Sequence, residues 1–152
     1  MAKYQAKGDQ TLTTTLTTAL SVGSNATTAQ RNALYRYILS IGLTPSDSQI
    51  TFQCQRTVTS LGTSTAVTPG QADQADRAAQ AAVGENHTVE PTFVTDGYFL
   101  EEMALNARAT FTWNAFPGEV VNHAATVGAG LSWQALHATR TEDFLVQAFW
   151  DE

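Results

Sequence analysis

The chain's capacity for proton transfer, metal ligation or nucleophilic attack rests on three histidines, fourteen carboxylates and one cysteine. Their spacing assembles no strong constellation. His87, His123 and His137 lie far apart, and none stands at a metal-ligand spacing from another. In Glu85-Asn86-His87 a carboxylate sits two residues from an imidazole. If extended, both would project from one face and could share a cation, although such a pair more commonly serves a turn or surface hydrogen bond. Asp73 and Asp76 are three apart in a segment that reads as a helix start, where they could pair with Arg77 or hold a weak divalent ion; a solvated first turn is the simpler reading. Glu101 and Glu102 are adjacent, so a strand sends them to opposite faces. There is no Gly-x-Ser-x-Gly elbow, and Gly128-Ala129-Gly130 reads as a turn rather than a phosphate cradle. A single cysteine, Cys54, excludes an intrachain disulfide and a cysteine-cluster zinc site. We therefore expect no catalytic residues, no metal and no cofactor.

Trp113, Trp133 and Trp150 all fall in strand-like segments. A carbohydrate platform would use such aromatics, but core packing accounts for them more simply. Asn25-Ala26-Thr27 and Asn86-His87-Thr88 match the glycosylation sequon, yet the opening MAKYQAKGDQ has no apolar leader to give them meaning.

Charge is scarce and uneven. Only 14% of residues are charged, against about 25% in an average domain. Threonine and alanine each supply 23 residues and lysine two. The net charge is −6. Residues 1–70 carry five cations and two carboxylates, whereas residues 71–152 carry three cations and twelve carboxylates. An acidic chain without a basic stripe argues against a nucleic-acid partner. No apolar run reaches the length of a membrane-spanning helix, so no membrane partner is expected. Both lysines lie in the first seven residues. We read residues 1–10 as an N-terminal arm, with Lys3, Tyr4 and Lys7 as its docking residues; a frayed, soluble terminus is the plainer alternative.

The elements that must position these residues are mostly strands. Threonine-rich 10–22 fits a strand better than a helix, because β-branched side chains suit a pleated surface. Residues 31–41 fit either a strand, with Ala33, Tyr35, Tyr37, Leu39 and Ile41 on one face, or a helix with a Leu34, Tyr37, Ile38, Ile41 stripe; the strand is favoured. Residues 48–59 alternate clearly, which directs Ile50, Phe52 and Cys54 to the core. Thr68-Pro69 followed by Gln71 resembles a helix start, and the alanines that follow predict a short helix over 70–82 in a long loop. Further strands are predicted over 87–95, 98–105, 107–115, 119–124, 130–138 and 143–150. Turns separate them at Asp96-Gly97, Pro117-Gly118, Gly128-Ala129-Gly130 and Thr141-Glu142. The expected fold is an all-β, antiparallel, jelly-roll-like sandwich of eight to nine strands, forming one domain over residues 11–152.

Several segments carry a family resemblance. Gly62-Thr63-Ser64-Thr65-Ala66-Val67-Thr68-Pro69, Ala78-Ala79, and Gly84-Glu85-Asn86-His87-Thr88-Val89-Glu90-Pro91-Thr92 form one part of it. Leu105-Asn106-Ala107-Arg108-Ala109-Thr110-Phe111-Thr112-Trp113 and Pro117-Gly118-Glu119 form the other. Over roughly residues 30–152 the chain resembles small structural proteins encoded near the head genes of tailed bacteriophages, capsid decoration (cement) or other minor virion proteins. The resemblance implies a virion protein on the capsid exterior, made in the host cytoplasm, with the major capsid protein as partner and a homotrimer as assembly. Two alternatives stay open: a tail tube, terminator or fibre-base component, and a carbohydrate-binding β-sandwich module with at least two tryptophans exposed on one concave face.

Overall fold

A computed structural model describes residues 1–42, 45–95, 99–139 and 142–152. Twelve strands account for the regular structure: β1 (Lys3–Thr11), β2 (Thr17–Gly23), β3 (Ala33–Ile41), β4 (Gln49–Thr57), β5 (Thr63–Ala66), β6 (Gly70–Gln71), β7 (Ala82–Val89), β8 (Phe99–Asn106), β9 (Phe111–Asn114), β10 (Val121–Asn122), β11 (Gly130–Leu136) and β12 (Asp143–Asp151). They form two antiparallel sheets. The front sheet runs β10-β3-β12-β1-β6, with β9 also paired to β3; the back sheet runs β5-β7-β2-β11-β4-β8. The last strand thus lies between β1 and β3, and β11 lies between β2 and β4, which is the winding of a jelly roll. Strands β5, β6 and β7 are an insertion between β4 and β8 that widens both sheets on the side of β1 and β2.

The alternation read from the sequence sets the core. Phe144, Val146, Ala148 and Trp150 of β12 and Ile50, Phe52 and Cys54 of β4 all face inward and are buried. In β3 the alternation changes parity: Leu34 is buried together with Tyr37 and Leu39. Arg36 pairs with Phe149 while Leu34 pairs with Trp150, so Tyr35 is the extra residue of a β-bulge. Gly8 lets β1 approach β2 closely; a Cβ there would lie 2.5 Å from the Ala19 carbonyl oxygen.

Four expectations are corrected. Residues 1–10 are not a free arm: Lys3–Thr11 pair residue for residue with Asp143–Asp151 of β12, the central strand of the front sheet. Tyr4 is 1% exposed and stacks on Trp150 at 6.2 Å, and burying that pair holds the segment in place. The strand expected over 10–22 is two strands, because Leu12 turns into the core and the Thr13 hydroxyl accepts the Thr15 amide at 3.2 Å, a local bond that competes with the ladder. The expected short helix over 70–82 is absent, and no helix occurs among the described residues. There Asp73 accepts the Ala75 amide in a tight turn, and the Glu152 carboxylate accepts the amides of Gln80 and Ala81 at 2.8 and 3.0 Å. These bonds outbid a helix whose alanine face could bury little area. Finally, the strands expected over 87–95 and 107–115 are shorter and displaced: β7 ends at Val89, and β9 starts at Phe111. The turns expected at Asp96-Gly97 and at Thr141 lie outside the described residues.

Removing residues 1–11 is therefore expected to abolish the cooperative unfolding transition followed by circular dichroism. A truncated chain that melts at the full-length temperature would return this segment to a peripheral role.

Candidate functional site

The residues expected to dock do not form one site. Tyr4 faces the core and its hydroxyl donates to the Arg77 carbonyl at 2.9 Å. Lys3 and Lys7 are exposed, and the Lys3 ammonium lies 5.2 Å from the centre of the Tyr35 ring. They are two separate cations on a sheet rather than the tip of an arm. Cys54 is buried, and burial pushes its thiol up to about 12, which suits a packing residue. Asp73 and Asp76 sit in a turn, with no helix to align them. Trp133 and Trp150 are both buried, while Trp113 is half-buried. The concave platform of two exposed tryptophans that a sugar module needs is not formed.

His87 turns away from the predicted pairing with Glu85. Asn86 between them adopts a φ of 49°, breaking the regular extended chain. His87 is buried on the outer face of the back sheet. Its Nε2 lies 3.0 Å from Ser21 Oγ and 3.2 Å from the Leu61 carbonyl, and its Nδ1 lies 3.1 Å from the Thr18 carbonyl. Glu90 joins the group. Its carboxylate accepts the Thr18 amide at 3.2 Å, the Gln134 amide group at 3.1 Å and a short bond from the Thr18 hydroxyl. Two segments cover this polar layer and pair with each other: Val58 donates to the Thr92 carbonyl and Thr92 to the Ser60 carbonyl, each at 3.0 Å. Buried polar groups need partners, and Leu61 and Glu90 of the covering segments supply some of them, while Ser132 Oγ has none among the described residues.

A serine hydroxyl within hydrogen-bond reach of an imidazole is the first half of a nucleophilic relay. In this case Ser21 is 1% exposed, and a backbone carbonyl occupies the position where an orienting carboxylate would hold Nδ1. The arrangement fastens the covering segments to the sheet. No group of three histidine, cysteine, aspartate or glutamate side chains is placed to hold a metal among the described residues. His123 is likewise buried, accepting the Asn32 amide at 3.3 Å.

The second feature is a cleft where the sheets part. Tyr37, Trp113 and Val121 of the front sheet face Cys54, Leu100 and Glu101 of the back sheet around a cavity of about 60 Å³. Trp113 stacks on Tyr37, with ring centres 5.3 Å apart and planes at 15°. Glu101 and Glu102 diverge as adjacent strand residues must; Glu102 is exposed and Glu101 half-buried. Desolvation pushes the Glu101 carboxyl above its ordinary range, and no hydrogen bond or ion pair reaches it among the described residues. Arg56, beside the cleft, is committed elsewhere: its Nε donates to the Asn122 carbonyl at 3.1 Å. A surface groove of about 490 Å³ shares Trp113 and Val121 with the cleft. The β9–β10 loop borders it and carries Phe116, 76% exposed, and Val120. Sequence reasoning missed both features. Glu101 shares its parity with Met103 and Leu105, and that was the available sign that it faces inward.

Comparison with protein-family models, with curated proteins and with the known structures gives no match. The fold defines the class: an all-β jelly-roll sandwich.

Burial lowers the His87 and His123 imidazoles below their ordinary 6.5; at His87 the Glu90 charge and the Thr18 and Leu61 carbonyls oppose the shift. A lowered histidine is held neutral in the fold. Its contribution is complete above 6.5 and is lost as pH falls through the folded value. Glu85 and Glu101, both raised by burial, act in the opposite sense above their ordinary 4.5. The difference in unfolding free energy between the natural chain and a His87→Gln variant isolates the first effect. It is expected to shrink between pH 7 and pH 5 in chemical denaturation; a constant difference would show that His87 does not change protonation on unfolding.

Proposed function

We propose that this protein is a structural component of a tailed-bacteriophage virion that binds the outside of the capsid shell and stabilises it, acting as a homotrimeric decoration protein. The observation that carries the reading is the shortage of charge on a folded sandwich: eight cations and fourteen carboxylates in 152 residues. Surfaces that meet protein partners are depleted in lysine, glutamate and aspartate and enriched in aromatic residues. Here lysine occurs twice, and the exposed apolar side chains include Phe116, Val120, Val127 and Val89. The resemblance read from the sequence segments within residues 30–152 points the same way, on the residues alone. The partner is the major capsid protein, reached after synthesis in the host cytoplasm. Lys3 and Lys7, exposed on the front sheet, remain contact candidates for this partner, whereas buried Tyr4 supports β1 from within.

The outer edge of β8, eight residues long and unpaired among the described residues, favours a second reading as a tail-tube component, since unpaired edges can join subunits into a ring. Mass in solution separates the two: a monomer or trimer for a decoration protein, a hexameric ring for a tube.

A protein that binds the assembled shell more tightly than its separated subunits raises the shell's melting temperature. Added to expanded capsids, the purified protein is expected to raise their melting temperature in a saturable manner. No shift at saturating protein would contradict the capsid reading.

A further inference from the structure

We infer that the cleft between β8 and β9 is a peptide-anchor site, taking the arginine side chain of an apolar-flanked basic segment of another polypeptide. Two independent features point to this occupant. Glu101 presents a carboxyl without a partner among the described residues, at the wall of an otherwise apolar cleft. Trp113, backed by its stack on Tyr37, supplies an aromatic surface in the same cleft. A guanidinium satisfies both at once, because it is planar, stacks on aromatic faces and donates in a fork to a carboxylate.

The dimensions select a side chain rather than a free metabolite. A cleft of about 60 Å³ admits one side-chain tip, while the adjoining groove of about 490 Å³ has room for the residues on either side of it. Val120 lines that groove and stands exposed, as does Phe116 on the same loop, so apolar neighbours of the arginine have apolar surface to cover. Glu119, which lines the groove, adds negative charge there and matches a cationic segment. Arg56 is a cation whose charge reaches Cys54 in the cleft wall, and its bond to the Asn122 carbonyl ties it to β10. Among the described residues no strand pairs with the outer edge of β8, whose backbone groups an extended segment can meet. The cleft is built from its own walls whether or not a capsid carries the segment. Binding to a peptide and stabilisation of a shell can therefore fail separately.

The test uses the full chain and the blocked pentapeptide Leu-Ala-Arg-Ala-Leu, with a citrulline counterpart that keeps the shape and removes the charge. Calorimetry is expected to show binding of the arginine peptide at least tenfold tighter than that of the citrulline peptide. Glu101→Gln, which preserves volume, should reduce the arginine peptide to the citrulline level, whereas Glu102→Gln should leave more than half of the affinity. Trp113 fluorescence should respond to the arginine peptide and not to the citrulline one at equal concentration. Equal affinity for the two peptides, or no binding of either at millimolar concentration, would overturn the inference. Butylguanidinium binding as tightly as the peptide would also overturn it, since the site would then take a free cation without its flanks. The peptide comparison needs only the natural chain, so it decides the matter even if the Glu101→Gln variant does not fold.

Discussion

The two ends of the chain hold each other. Strand β12 lies between β1 and β3, so the final nine-residue strand cannot complete its hydrogen bonds until the first strand is beside it. The same pairing sets the core, because inward residues of both strands meet there: Tyr4 stacks on Trp150, and Ala6 pairs with Ala148. Glu152 then extends the tie beyond the strand. Its carboxylate accepts the Trp150 indole N–H at 3.2 Å and the amides of Gln80 and Ala81, anchoring the insertion that carries β5 to β7. Contacts of such high sequence separation delay folding, because loop closure must precede them. Once made, they leave few places where the sandwich can open locally.

The back sheet is covered twice. Its inner face packs on the front sheet, and much of its outer face lies under the Val58–Leu61 and Glu90–Val94 segments. That explains why β11 is buried along nearly its whole length, including Ser132 and Gln134, which alternation alone would assign to solvent. The layer between is built from hydroxyls, amides, one imidazole and one carboxylate. Such a network specifies one arrangement of the covering segments, because any misplacement leaves buried polar atoms unpaired. The same economy marks the whole chain. Threonine, serine and glutamine do internally what charge would do less cheaply when desolvated. Surface charge is correspondingly sparse, leaving faces that other protein surfaces can approach without stripping many ions of water.

Where local pattern and tertiary demand agree, the sequence was readable. β4 and β12 alternate without interruption, and the structure buries the residues the alternation selects. β3 was legible as a strand but not in its faces, because the bulge at Tyr35 depends on what β12 places opposite. β1 was missed for a different reason: Lys, Gln, Ala and Gly have weak strand preference, and only the pairing with β12 makes Lys3–Thr11 extended. The alanine stretch after Pro69 carried real helix signals, which lost to bonds with Glu152, a residue more than 70 positions away in the chain. Of the two local sites, the cleft was half visible. The aromatic residues stood out, but their meeting with Glu101 required knowing that β8 and β9 face each other across the margin of the sandwich. The His87 cluster was invisible, since Thr18 and Ser21 of β2 and Leu61 of the loop after β4 converge on it from distant parts of the chain.

Native-state hydrogen exchange tests the interdependence of the two chain ends most directly. The amides that β1 and β12 share should exchange together, at the free energy of global unfolding, and with the same denaturant dependence. If the β1 amides instead exchange through a smaller opening of their own while β12 stays protected, the N-terminal strand is an accessory to the sandwich and the account given of it is wrong.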